Sequence, residues 1–276
     1  MLSDLNSFDM PLKGRFSFRL GTSSYIIPTD ILSNLEYLKE KVDDVEILLF
    51  ESDKISNIPT NDTVLAMKDI ADQYNLTYTI HLPLDIQLGN GDETIRQNSI
   101  DKCLRIFDRM IPLLPFGWIL HFHGDSDQSR DIPSVQMDRW RNQHKKSLER
   151  LVQHLDEPHR ICVETLIYDF SYIEDIVKQS PVSICMDVGH LILKDRDPFA
   201  FWQKWQDQIR VFHLHGVTSE KTDHADLTHL PEMFLALFLD QISTNAVERV
   251  LTVEVFNESD FIASFLELKK WRENHG

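Results

Sequence analysis

Cysteine is scarce in this chain: three in 276 residues, Cys103, Cys162 and Cys185, with no C-x-x-C pair. An odd, widely spaced set excludes a disulfide scaffold and a structural zinc knuckle. Glycine numbers only nine, and no G-x-G-x-x-G turn follows an early strand, which argues against an open dinucleotide-binding sheet. A Walker pattern, a G-x-S-x-G elbow and a Cys/His nucleophile arrangement are also missing. No apolar run reaches eighteen residues, and no basic start feeds an apolar segment. The chain is therefore expected to be cytoplasmic, with no membrane partner. Positive charge is short: 28 Lys and Arg against 44 Asp and Glu leave a formal charge of −16. Beyond pairs such as Lys145-Lys146 there is no basic tract to displace counterions from a duplex, so no nucleic-acid partner is expected.

What the chain does have is 42 % apolar residues, enough for a full core, and 12 histidines. After a loose start over residues 1–15, short apolar runs recur at FSFRLG (16–21), DVEILLF (44–50), LTYTIH (76–81), GWILHFH (117–123), RICVE (160–164), VSICMD (182–187), IRVFHLH (209–215) and VLTVEV (250–255). Stretches with helical periodicity separate them. Ile31, Leu35 and Leu38 share one face, Val64, Met67 and Ile70 another, and Phe261, Phe265 and Leu268 close the chain. Helix starts are predicted at Ser171, Pro198 and Ser259. Alternating strands and helices of this number and length predict a single (β/α)8 barrel over residues 16–276, with the open doubly wound sheet as the rival. The polar segment 124–140 follows a strand end and reads as a substrate-covering loop.

Side chains alternate faces along a strand. In IRVFHLH the bulky Phe212 and Leu214 belong against the helices, which turns Val211, His213 and His215 inward. GWILHFH places Ile119, His121 and His123 inward by the same rule. TYTIH contributes Thr79 and His81, RICVE Cys162 and Glu164, SICMD Ser183, Cys185 and Asp187, and LTVEV Thr252 and Glu254. Strands three to eight thus end in His81, His121, Glu164, Asp187, His213 and Glu254, at the active-site end of such a barrel. Burying these groups together is costly without a counterion, and divalent metal resolves the cost. A network of hydrogen-bonded core groups and salt bridges is the alternative. Zinc, manganese, iron and cobalt all suit imidazole and carboxylate ligands, so the ion is not specified.

His190 follows Asp187 by three residues, and Asp223 and His224 can reach back over the mouth; Asp226 and His229 are weaker candidates. His123, His215 and Glu51 are assigned to orienting or substrate-contacting roles, with Glu51 preferred over Glu46 because it ends strand two on the same face as Ile47 and Leu49, while Glu46 has the opposite parity. Cys162 and Cys185 read as small core residues. His144, His154, His159 and His275 fall in helical or terminal stretches and read as surface residues. Trp202 and Trp205 read as packing residues.

The motifs TIHLP, LHFHG, CVETL, MDVGH, FHLHG, the DH pair at 223–224 and VEVF resemble the xylose isomerase-like TIM barrels over roughly residues 16–272. That superfamily includes apurinic-site nucleases of the endonuclease IV type and many sugar isomerases and epimerases. The nuclease branch implies a ligand set matched here by His81, His121, Glu164, Asp187, His190, His213, Asp223, His224 and Glu254, holding two or three ions. This chain departs from it in having Asp223 and His224 adjacent. The isomerase branch implies one ion on Glu164, Asp187, His213 and Glu254. LGTSSYIIPTDILSNLEYL, VDDVEILLFE and HLPLDIQLG are similar to a narrower branch, the cobamide-remodelling hydrolases. That resemblance implies a corrinoid substrate and opening of its nucleotide loop by metal-activated water, with Glu164, Glu254 and Asp187 catalytic. A mononuclear sugar isomerase or epimerase is the alternative reading, and apurinic-site cleavage a more distant one.

Overall fold

The computed structural model describes residues 12–52, 55–123, 134–244 and 247–275. Eight parallel strands close into one barrel in sequence order: β1 (Arg19–Ser23), β2 (Asp44–Leu48), β3 (Thr77–His81), β4 (Gly117–Leu120), β5 (Ile161–Glu164), β6 (Ser183–Asp187), β7 (Ile209–Leu214) and β8 (Val250–Val253). Closure is made by β8 on β1, with Leu20 opposite Leu251. Around the barrel run α1 (Ile31–Leu38), α2 (Asn61–Tyr74), α3 (Glu93–Met110), α4 (Ser134–Val152), α5 (Glu174–Gln179), α6 (Val188–Leu193), α7 (Pro198–Trp205), α8 (Glu232–Ser243) and α9 (Glu258–His275). The expected (β/α)8 architecture is the observed one.

The strand pattern sorts side chains into two cores. Phe212 and Leu214 join the large layer between barrel and helices, together with Leu35, Met67, Phe261 and Phe265. Phe116, Ile119, Cys162, Cys185, Val211 and Val250 form a separate apolar plug inside the lumen. Both inward cysteines therefore pack as small core residues beneath the mouth. The plug seals the lower barrel, so polar inward side chains crowd into its upper end.

Helix entry is fixed by caps at the ends of the βα loops. Asp30, Thr60, Asp92, Asp187 and Asp197 each accept a backbone N–H from the first turn of the helix that follows, replacing a partner the helix itself cannot supply. Pro198 opens α7 as predicted, and α9 begins at Glu258, one residue before the expected Ser259. Ser171 instead lies in a single 3-10 turn, Phe170–Tyr172, and α5 starts after it.

Two expectations about loose segments need correction. Leu12 is buried and Gly14 N–H donates to Asp43 Oδ1 at 2.9 Å, so the chain packs on the barrel from residue 12; residues 1–11 lie outside the described ones. In the supposed covering loop, residues 124–133 also lie outside the described ones, and residues 134–140 already belong to α4. Among the described residues no helix is long and apolar enough to cross a membrane.

Candidate metal centre

Glu164 ends β5 at the centre of the mouth and is almost fully buried. Its Oε2 lies 2.7 Å from His121 Nε2, 3.6 Å from His81 Nε2 and 3.7 Å from His213 Nδ1, while Oε1 is 3.5 Å from His190 Nδ1. Asp187 does two jobs at the end of β6. Its Oδ1 accepts the His190 N–H at 2.6 Å, starting α6, and that cap brings the His190 ring to 3.1 Å from Oδ2. The D-x-x-H spacing is thus the geometry of a helix N-cap and its third residue. Glu254 follows β8, its N–H extending the ladder to Leu214 O, and its Oε2 stands 3.1 Å from His213 Nδ1 and 3.5 Å from His224 Nδ1.

The 217–224 loop returns to the mouth because Gly216 and Ala225 pair across its base. His224 takes a left-handed backbone (φ 52°), and its N–H donates to His215 Nδ1 at 2.9 Å. His215 Nε2 then faces Asp187 Oδ1 at 3.2 Å. Asp223 is more peripheral, its Oδ2 3.9 Å from His190 Nε2. Asp226 instead caps the 3-10 turn that contains His229, and takes no part in the cluster. His123 Nε2 contacts His121 Nδ1 at 2.9 Å, behind the ring that meets Glu164.

Glu51 does not belong to this group. It pairs with Arg105 at 3.4 Å, outside the barrel mouth. The residue that does enter from β2 is Glu46, fully buried, with Oε2 2.9 Å from His213 Nε2. Val45 and Ile47 pack in the layer between barrel and helices, so the inward parity on β2 is that of Asp44 and Glu46. The rule that turns bulky side chains outward on β7 would have found it. His144 is the other misread position, since it is fully buried, whereas His154 and His159 are partly exposed as expected. The His275 side chain lies outside the described residues.

Electrostatics show what the cluster demands. Burial raises the Glu164, Asp187 and Glu254 carboxyls, but the neighbouring histidines outweigh it and hold all three below their ordinary range. Burial likewise disfavours charged His81, His190 and His213, and the carboxylates again prevail, so these rings are held above their usual value. Burial pushes His121 down despite its contact with Glu164, and burial and then His121 push His123 down to about 3.

Several buried atoms have no hydrogen-bond partner among the described residues: Asp187 Oδ2, His213 Nδ1, Glu254 Oε2, His215 Nε2 and His224 Nδ1. They face one another across the mouth. Carboxylate oxygens of Glu254, Glu164 and Asp187 stand 3.1, 3.7 and 3.9 Å from His213 Nδ1. Ligands about 2.1 Å from a shared ion lie roughly 3.0–3.4 Å apart, so the set needs only slight contraction to hold one. Ligand atoms of His81, His121 and Glu164 also lie within 4.8 Å of one another, as do those of His190, His215 and His224. The chain can therefore coordinate one or more divalent ions. Chelation should lower the melting midpoint. An ion present at about 100 times its Kd contributes about 2.7 kcal/mol, on the order of 5–10 °C for a chain of this size. Scanning fluorimetry before and after chelation and metal return checks this; an unmoved midpoint would count against the centre.

Above the cluster is a cavity of about 450 Å³ lined by Tyr25, Leu48, Leu49, Phe50, Leu84 and Phe256 together with His81, His121, Glu164, His190, His224 and Glu254. No lysine or arginine is among those lining residues.

Comparison with known proteins gives the lineage. A 49-residue stretch is 35 % identical to inosose dehydratase of Lacticaseibacillus casei, covering 18 % of this chain and 16 % of that protein. A D-tagatose 3-epimerase-like protein superposes with TM-score 0.76 at 18 % identity, covering 93 % of this chain and 98 % of the other. Endonuclease IV from Thermus thermophilus gives 0.69 at 16 %, covering 93 % and 99 %. At such identities the superpositions establish the fold. The sugar epimerases and the dehydratase overturn the expected kinship with cobamide-remodelling hydrolases, and with it the corrinoid substrate and the phosphoester chemistry. The model of the xylose isomerase-like TIM barrel family matches residues 38–275, and the chain belongs to that family.

Proposed function

We propose that this protein is a metal-dependent sugar isomerase or epimerase that moves a proton at a carbon next to a carbonyl. The observation that carries the reading is the pair Glu164 and Glu254. Both are buried and held ionised, and they converge on His213 from strands separated by β6 and β7. Inverting a carbon centre requires removing a proton on one face and returning one on the other, which two carboxylates on different strands can do. A divalent ion held by Glu164, Asp187, His213 and Glu254 would polarise the carbonyl and acidify its neighbour.

The remaining chemistry belongs to the chain. His81 and His121 beside Glu164, and His224 beside Glu254, stabilise each carboxylate when it is charged. Tyr25, Phe50, Leu84 and Phe256 offer apolar surface to the less polar face of a sugar and limit water at the mouth. Among the described residues no lysine or arginine lines the cavity, which favours an unphosphorylated substrate. The named relatives support the class, because ketose 3-epimerisation and dehydration of an inosose both begin by proton removal beside a carbonyl.

The test is solvent exchange in D2O. Protein loaded with Mn, Co or Zn should place deuterium on the carbon adjacent to the carbonyl of a ketohexose or inosose, seen by NMR, and generate the epimer or another rearranged sugar. Chelation should stop both. No exchange and no product across the ketose and inosose panel with all three ions would overturn the reading.

A further inference from the structure

We propose that Glu46 is a positioning residue for the metal centre: it receives the Nε2–H of His213 and thereby turns the Nδ1 lone pair toward the ion. This inference rests on the metal-dependent reading above.

Glu46 lies on β2, opposite Thr79 of β3 and Ser23 of β1 in the strand register, below the ring of groups that forms the mouth. Its side chain and that of His213 are both fully buried, with Oε2 2.9 Å from Nε2. A neutral imidazole has one N–H and one lone pair, and the group that takes the N–H decides which nitrogen is left to bind. On His213 the other nitrogen, Nδ1, faces Glu254, Glu164 and Asp187 and has no hydrogen-bond partner among the described residues. The two nitrogens are therefore already sorted, one held from below by β2 and one presented to the acids.

The choice of partner matters. His81 Nδ1 contacts Leu82 O at 2.9 Å, so that ring meets a backbone carbonyl, whereas His213 Nε2 meets the side chain of Glu46. A carboxylate behind a ligating imidazole both fixes the ring and strengthens it as a donor, and such partners are worth roughly 10–100-fold in metal affinity. Glu46 Oε1 is buried and has no hydrogen-bond partner among the described residues, which leaves the side chain turned to His213 through Oε2.

The experiment measures metal stoichiometry by elemental analysis and affinity by competition with a chromophoric chelator, using zinc. Wild type, Glu46→Ala, Glu46→Gln and Asp187→Ala are compared, with circular dichroism of the metal-free proteins as the folding control. Glu46→Ala should weaken zinc roughly 10–100-fold with the number of ions unchanged. Glu46→Gln should recover much of that loss, because its amide oxygen accepts the same N–H. Histidine 15N NMR of zinc-loaded protein should give the Nε2–H tautomer for His213 in wild type and Glu46→Gln; this readout carries the test if Glu46→Ala does not fold. Wild-type affinity in Glu46→Ala, or a Glu46→Gln protein whose His213 proton sits on Nδ1, overturns the proposal. Loss of a whole ion in Glu46→Gln also overturns it, by making Glu46 itself a ligand. Failure of the centre reads differently: Asp187→Ala would then bind zinc as wild type does.

Discussion

Glu254→Gln and Glu164→Gln should each lower epimerisation by roughly 10²–10⁴-fold, the contribution of a positioned general base, while both proteins keep a folded barrel. Glutamine retains an oxygen for an ion but cannot accept the proton. Exchange with solvent should then separate the two roles. If one carboxylate serves each face of the reacting carbon, Glu254→Gln should still exchange the proton of one epimer with D2O, and Glu164→Gln that of the other, with neither variant interconverting them. NMR of each pure epimer incubated with each variant makes the comparison. Both variants exchanging the same epimer would remove the assignment of opposite faces. Unchanged turnover in both would remove the carboxylate pair altogether. A variant whose rate recovers when metal is raised has lost a ligand, so rates are taken at saturating metal.

The polar ends of β3 to β8 were legible because each strand alternates cleanly. Phe212 and Leu214 could only face the helices, so His213 and His215 had to face the lumen, and the same reasoning placed His81, Glu164, Asp187 and Glu254. On β2 the alternation was as clean, but Glu51 shares the face of Ile47, which packs in the layer between barrel and helices, and Glu46 has the opposite, inward parity. Glu51 lies past the last barrel residue, where the chain turns outward to Arg105, whereas Glu46 sits inside the ladder. His224 was legible only as a neighbour in a loop; its contact with His215 depends on a left-handed backbone and a bridge at Gly216 that no local pattern announces. The branch of the family was misread for a different reason. The resemblance to the narrower branch rests on LGTSSYIIPTDILSNLEYL, VDDVEILLFE and HLPLDIQLG, which carry Tyr25, Phe50 and Leu84, and the way these residues come together around the cavity depends on tertiary structure.

His144 illustrates how a helical position hides its burial, and it yields a large effect of acid on stability. The ring stacks on Phe122 at 4.3 Å between centroids, meets Trp140 edge-on at 4.5 Å, and presses against Gly89, where even a Cβ would overlap it. Neither ring nitrogen has a hydrogen-bond partner among the described residues. Burial pushes its pKa from 6.5 down to about 3. Between those values the unfolded chain binds a proton that the folded chain refuses, so stability rises with pH through the window. The contribution is complete above about pH 6.5 and is lost as pH falls toward about 3. At about 1.4 kcal/mol per pH unit, pH 5 costs on the order of 2 kcal/mol, or roughly 4–8 °C in Tm. His144→Phe keeps an aromatic ring in the stack and cannot take the proton. Its Tm relative to wild type should therefore rise by about that amount between pH 7.5 and pH 5, whatever the substitution costs in packing at neutral pH. The scans are run on chelated protein, because acid also releases ions from the histidines at the mouth. A wild-type-to-variant difference that stays constant across this range would mean that His144 is already solvated or protonated in the fold.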